Sequence, residues 1–163
     1  MTVAHRIAVM DHGALVQVAT PRELYEQPGS RWVAAFIGDV NLLEGTVTAA
    51  DAGGLAIAGA GGRRYRVATA DAAPGQKVCL ALRPEKLRLA AAPPADTAEN
   101  CVAGRVHDIA YLGDISLYRV ALDDGAVMTV SVANASRLAD RPIGWEDQVW
   151  ITWGPDAAVV LTQ

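Results

Sequence analysis

The chain has 163 residues, enough for one or two small domains with a real core. Its composition, 52% hydrophobic and 20% charged, excludes an intrinsically disordered protein. A net charge of −4 argues against a general nucleic-acid or anionic-membrane surface, and no apolar run approaches the roughly 20 residues of a membrane-spanning helix.

The N-terminus does not read as a signal peptide. Ile7–Met10 is a continuous apolar run and predicts a strand buried on both faces. Asp11-His12-Gly13 predicts a tight turn, since Gly tolerates positive φ and Asp and His tolerate it better than most residues. Leu15–Ala19 follows as a second strand. Thr20-Pro21-Arg22-Glu23 reads as a helix start, with Thr as N-cap, Pro at N1 and Glu closing a capping box. Pro28-Gly29 ends that helix. Ser30 caps a second one carrying Trp32, Val33, Phe36 and Ile37, which stops at Gly38.

Beyond Asn41 the texture becomes β. Strands are predicted at Leu43–Thr48, Leu55–Ala58, Arg64–Ala68, Lys77–Leu82, Leu87–Ala90, Val102–Tyr111, Leu117–Leu122, Val127–Val132, Gln148–Trp153 and Ala157–Leu161. The stretch Ala90–Asn100, "AAAPPADTAEN", is a linker by composition. It separates similar halves. "NLLEGTV" at Asn41 recurs as "NCVAGRV" at Asn100, an offset of 59 (100 − 41) that aligns Asn, Gly and Val. "VCLALRPEKLRL" at Val78 recurs as "VWITWGPDAAVV" at Val149, an offset of 71 that aligns Pro84-Glu85 with Pro155-Asp156. The second copy therefore carries about a dozen extra residues around Ala133–Trp145. Two ordered matches across a linker predict a tandem duplication of a five-stranded unit, of a size that suits an OB-like barrel.

Several groups invite a chemical reading. Arg83-Pro84-Glu85 is either an ion-pairing interface element or a solvated strand-ending turn. Tyr111-Leu112-Gly113-Asp114 predicts a tight β turn, with a ligand site as the alternative. In "GGRRYR" (Gly61–Arg66) strand alternation sends Arg64 and Arg66 to one face and Arg63 and Tyr65 to the other, which favours a solvated hairpin edge over a base-stacking platform. Trp150 and Trp153 face opposite sides, so they and Trp145 read as core and interface packing. Asp123-Asp124 reads as a plain hairpin turn. Cys79 and Cys101 read as buried free thiols. His107 is the only histidine of the β region, so no catalytic triad or metal site is predicted.

The run "HRIAVMDHGALVQVATPRELYEQPGSRWVAAFIGDVNLLEGTV", with "ALRPEKLRL" and "YLGD", resembles the C-terminal part of ATP-binding subunits of ABC importers of the maltose, polyamine and ferric type. In that family a hairpin, a Thr-Pro-x-Glu-x-Tyr helix and a helix ending Phe-Ile-Gly close the nucleotide-binding domain. A tandem OB-like regulatory module, the transport-associated OB or TOBE domain, follows. The resemblance implies a mainly β fold: residues 1–39 as the end of the nucleotide-binding domain and 40–163 as the TOBE domain, with OB-like halves at 40–91 and 99–163. Phe36, Ile37, Gly38 and Asn41 would form the domain junction. Arg83, Pro84, Glu85, Tyr111, Gly113 and Asp114 would be interface or regulatory residues. Met1-Thr2 matches an internal Met-Thr of the family, so the chain reads as a C-terminal piece.

The piece contains no Gly-x-x-x-x-Gly-Lys-Ser/Thr loop, and its only lysines are Lys77 and Lys86. It is expected to be no enzyme and to hold no cofactor or metal, while the parent would bind ATP and magnesium. The expected partners are a second copy, pairing through the regulatory domain or through the bare hairpin Arg6–Ala19, and the importer's membrane subunits, at the cytoplasmic face. No nucleic acid is expected. The "VWITWGPDAAVVL" ending resembles polyamine- and ferric-type subunits. The alternative function is a small-ligand, oxyanion-sensing OB-like domain.

Overall fold

A computed structural model describes residues 4–68, 72–95, 100–134 and 143–162. All twelve expected strands are present. β1 (Ile7–Asp11) and β2 (Ala14–Ala19) form a two-stranded hairpin, followed by helices α1 (Pro21–Glu26) and α2 (Arg31–Ile37). His12, in the hairpin turn, has φ of 46° and Gly13 has φ of 82°, the left-handed backbone expected there. Thr20 makes the complete capping box with Glu23, and the Ser30 side chain accepts from the Val33 N–H.

Ten strands make the β body: β3 (Asn41–Asp51), β4 (Gly54–Gly59), β5 (Arg64–Val67), β6 (Lys77–Leu82), β7 (Arg88–Ala90), β8 (Asn100–Tyr111), β9 (Ile115–Leu122), β10 (Val127–Ala133), β11 (Gln148–Trp153) and β12 (Ala158–Leu161). They form two antiparallel sheets of five. One runs β12-β6-β3-β4-β5, the other β7-β11-β8-β9-β10. The orders are equivalent, with one exchange. β7, which ends the first half of the chain, pairs with β11 of the second; β12, which ends the second, pairs with β6 of the first. The two sheets thus share one strand order, but neither is completed by one half of the chain alone.

The three residues that recur at an offset of 59 each have a physical task. Asn41 starts β3, and its side-chain amide reaches across to the other sheet: Nδ2 donates to the Thr129 carbonyl (2.8 Å) and Oδ1 accepts from the Thr129 N–H (2.7 Å). Asn100 starts β8 and does the same to Arg66, with 2.9 Å and 2.7 Å. Each amide thus completes the edge strand of the opposite half. Gly45 and Gly104 sit where strands cross too closely for a side chain. A Cβ on Gly45 would lie 2.5 Å from Ile57 Cγ2, and one on Gly104 2.6 Å from the Ala121 carbonyl oxygen. Val47 and Val106 mark the β-bulges of β3 and β8. At both bulges the backbone holds the turn that leads into the next strand: Val47 exchanges hydrogen bonds with Gly75 and Gln76, and Val106 with Glu146 and Asp147. Gly75 and Glu146 both have positive φ, so the second copy places a glutamate in a backbone conformation that suits glycine.

The apolar residues of both sheets merge into one core. Leu43, Val47, Ile57, Tyr65, Leu80 and Leu82 of the first half pack in the same cluster as Val106, Val120, Met128, Val130, Ile151 and Trp153 of the second. The Tyr65 and Trp153 rings meet across the halves at 5.7 Å. At the surface Arg63 pairs with Asp124 at 2.7 Å, linking the two hairpin turns.

Three expectations change. Ile7–Met10 is not buried on both faces: only Val9 is, packed with Leu24 and Val33, while Met10 is 58% exposed. Ile7 packs half-buried against this cluster, and Ala8 and Met10 are not covered by the described residues. Cys101 is only half-buried, whereas Cys79 is fully buried. Trp145 is 70% exposed rather than packed, its indole donating to the His107 carbonyl at 2.6 Å. Trp153 is buried and Trp150 half-buried, as alternation requires. Most of the extra segment of the second half, residues 135–142, lies outside the described residues.

One core and reciprocal amides make the β body a single folding unit. Calorimetry should show one transition. Asn41→Ala and Asn100→Ala should each lower its stability by about 2 kcal/mol or more without splitting it, because each leaves a paired N–H and C=O of the opposite sheet unmatched. Gly104→Ala should cost a further, independent 1–3 kcal/mol, roughly, by driving a methyl into backbone, read from the same melts.

Candidate functional site

The Arg83-Pro84-Glu85-Lys86 turn follows β6 and lies under both helices. Pro84–Lys86 forms a 3-10 turn, with Pro84 buried. The side chains on either side of Pro84 reach into α1 and α2, and these contacts build the joint between helices and β body.

Arg83 is the centre. It is only 6% exposed, and a buried guanidinium must have its donors matched. Its Nη1 donates to the carbonyls of Ala34 (3.0 Å), Gly38 (3.0 Å) and Asp39 (3.1 Å), and Nη2 to that of Tyr25 (3.2 Å). These carbonyls lie at the C-terminal ends of the two helices, where no further helical turn can supply donors. The cation also lies 4.2 Å from the centre of the Tyr25 ring. Arg83 therefore acts on main-chain carbonyls, and among the described residues it forms no ion pair with a carboxylate.

Glu85 accepts a 2.6 Å hydrogen bond from the Tyr25 hydroxyl. Burial pushes the Tyr25 phenol up to about 12, helped by that hydrogen bond and the Glu85 charge. Lys86 pairs with Glu26 at 3.2 Å, and Arg31 at the start of α2 with Glu44 on β3. Beneath these polar contacts Ala34, Cys79, Ala81 and Leu161 form a small apolar seam, flanked by Val40 and Val159. A polar cleft of about 520 Å³ opens beside the joint between Glu26, Lys86, Arg88 and the Gly154–Ala157 turn. Its walls carry both signs of charge.

The four residues expected at the junction have separate tasks. Gly38 offers its carbonyl to Arg83, and its φ of 172° is extended backbone open to any residue. Ile37 packs against the Val9–Leu24–Val33 cluster. Phe36 is 64% exposed and stacks on Trp32 at 5.1 Å. Asn41 belongs to the cross-sheet contact, where it also donates to the Leu82 carbonyl (3.3 Å).

Tyr111 ends β8, and Gly113 and Asp114 lie in the β8–β9 turn, which is held by Asn134 just beyond β10. Gly113 has φ of 96°. Its carbonyl accepts from the Asn134 side chain (2.9 Å), and the Asp114 carbonyl from the Asn134 N–H (2.8 Å). Tyr111 is 71% exposed. These residues do not join the Arg83 cluster.

Tyr25 and Lys86 were inside quoted motifs without a role; their partners lie 60 residues away and left no local signal. Among the described residues no group of three or more His, Cys, Asp or Glu is placed to hold a metal ion.

These features define a duplicated OB-like β module with strand exchange, entered through a helical joint. The chain belongs to the TOBE domain family, whose model matches residues 80–161. Its similarity to curated proteins extends through the hairpin and helices. It is 41% identical to the putrescine transport ATP-binding protein PotG of Escherichia coli K12 over 99% of this chain and 43% of that protein. It is 41% identical to the spermidine/putrescine import ATP-binding protein PotA of Chromobacterium violaceum, over 100% of this chain and 45% of that protein. The identity to PotA of Thermotoga maritima is 34%, over 99% and 45%. The chain therefore spans under half the length of these relatives. The cytoplasmic molybdate-binding protein ModG shares the fold, with a TM-score of 0.68 over 84% of this chain and 99% of that one, at 17% identity.

The Tyr25–Glu85 bond gives a direct readout of the joint. Glu85→Gln should bring the Tyr25 titration, followed by phenolate absorbance against a Tyr25→Phe reference, down from about 12 but keep it above the usual 10.0, because burial remains. The fold favours the neutral phenol. Its contribution is therefore whole below pH 10 and lost as pH rises toward 12, so the joint should loosen over that interval.

Proposed function

We propose that this chain is the C-terminal regulatory part of the ATP-binding subunit of an ABC importer for polyamines. The carrying observation is that similarity to putrescine and spermidine import subunits runs unbroken through helices, joint and β body. The joint gives that continuity a physical form. In this reading the hairpin and helices of residues 1–39 close the nucleotide-binding domain, and residues 40–163 are its regulatory domain. ATP and magnesium are held by residues outside this chain, which carries no phosphate-binding loop. In this reading the β body takes no part in ATP hydrolysis. It works as a rigid attachment that helps two subunits stay together beneath the membrane subunits, at the cytoplasmic face.

The exposed apolar residues Met10, Leu15, Val16 and Val18 of the hairpin, with the Trp32–Phe36 stack, fit this reading. They have the character of an interior face whose covering layer is elsewhere in the longer protein. In this chain the hairpin folds onto its own helices through Val9, and pairing with a second copy remains part of the proposal. The oxyanion-sensing alternative draws on a shared fold only. Arg31, Arg63 and Arg83 are engaged by Glu44, Asp124 and main-chain carbonyls rather than converging on a common point.

The test is uptake. Cells expressing the intact subunit with its membrane partners should accumulate labelled putrescine or spermidine in an ATP-dependent way and should not accumulate ferric iron. Iron uptake without polyamine uptake would overturn the substrate assignment. The 163-residue chain alone should show no thermal stabilisation by ATP and magnesium, measured by melting-temperature shift.

A further inference from the structure

The two helices of the joint are poor candidates for standing alone. They have six and seven residues, below the length at which isolated helices persist in water. Neither has a basic residue in its last turn. The donors for their terminal carbonyls come from Arg83, 58 residues beyond Tyr25 and 49 beyond Ala34. The repeat supplies an internal control. The offset of 71 that aligns Pro84-Glu85 with Pro155-Asp156 aligns Arg83 with Gly154. Both turns end the equivalent strand, β6 or β11, and lead to an exchanged strand, β7 or β12. The β fold therefore does not need an arginine at this position. It is present only in the copy whose turn lies against the helices.

We infer that Arg83 is a positioning residue that orders α1 and α2 together from the β body, making the joint one rigid piece. Its guanidinium completes both helix ends at once and bears on the Tyr25 ring, so the helices keep their relative placement only while the β body is docked. On the importer reading proposed above, this makes Arg83 the contact through which the regulatory domain fixes the end of the ATP-binding part. The inference about the joint concerns this chain alone and can fail or stand separately from the uptake result.

Hydrogen exchange read by mass spectrometry on the 163-residue chain tests it. In Arg83→Lys the ammonium cannot fork to four carbonyls. Amides protected in α1 and α2 should exchange about tenfold faster or more, while those of β8 and β9 keep their rates. The corresponding change in the other copy, Gly154→Ala, should leave helix exchange unchanged. Unaltered helix exchange in Arg83→Lys would overturn the proposal. So would acceleration by one common factor throughout, which would mean that Arg83 serves general stability only. A second measurement needs no variant. In the unaltered chain α1 and α2 should open as one unit, with matching protection of Leu24, Gln27 and Ala34, whose amides are all hydrogen-bonded within the helical segment. Independent opening of the two helices would overturn the proposal even if Arg83→Lys did not fold.

Discussion

The structure depends on an exchange of strands. Each repeat builds four strands of a sheet and gives its last strand away, so β7 completes the second sheet and β12 the first. A half of this size has little interior of its own, and an open sheet edge is a place where other chains pair. Exchange addresses both problems together. It commits each half to the other, merges their apolar faces into one core, and leaves no β6 or β11 edge free. Asn41 and Asn100 reinforce the commitment by matching the backbone of the opposite edge strand. The flatter alternative, two separate barrels on a linker, would have left these amides facing nothing.

The joint shows how a buried charge can be kept without a counter-charge. A carboxylate partner for Arg83 would need its own desolvation balanced, and such pairs often yield no net stabilisation. Helix-terminal carbonyls offer partial negative charge with fixed geometry, and they are groups that need donors in any case. The arrangement therefore solves two polar problems with one side chain. The solvent-facing pairs Lys86–Glu26 and Arg31–Glu44 are weaker by nature.

The repeats have diverged where their surroundings differ. Positions facing the shared interior or the opposite sheet keep Asn, Gly and Val, because a pleated bulge, a close strand crossing and an unmatched edge recur in both copies. Positions facing unlike neighbours have separated. Arg83 meets helices and Gly154 does not. Gly75 has its counterpart in Glu146, in the same left-handed backbone.

Much of this protein is legible along the chain. Period-two alternation, turn residues and the Thr20 and Ser30 caps are local effects, acting over a few residues, so every strand and both helices could be read from sequence. The duplication was legible too, since Asn, Gly and Val recur in order. Tertiary structure alone decided what those residues do. Which sheet receives β7 and β12 depends on how two repeats pack, and alternation is silent about the identity of a strand's neighbour. The role of Arg83 was equally hidden: its acceptors are main-chain carbonyls, which every residue possesses, so no side-chain pattern marks them. The same holds for Val9 against its apolar neighbours in β1, where the run of hydrophobic residues was visible but the layer that covers only one of them was not. Sequence determines what each segment can form; the folded chain determines which faces are covered, and by what.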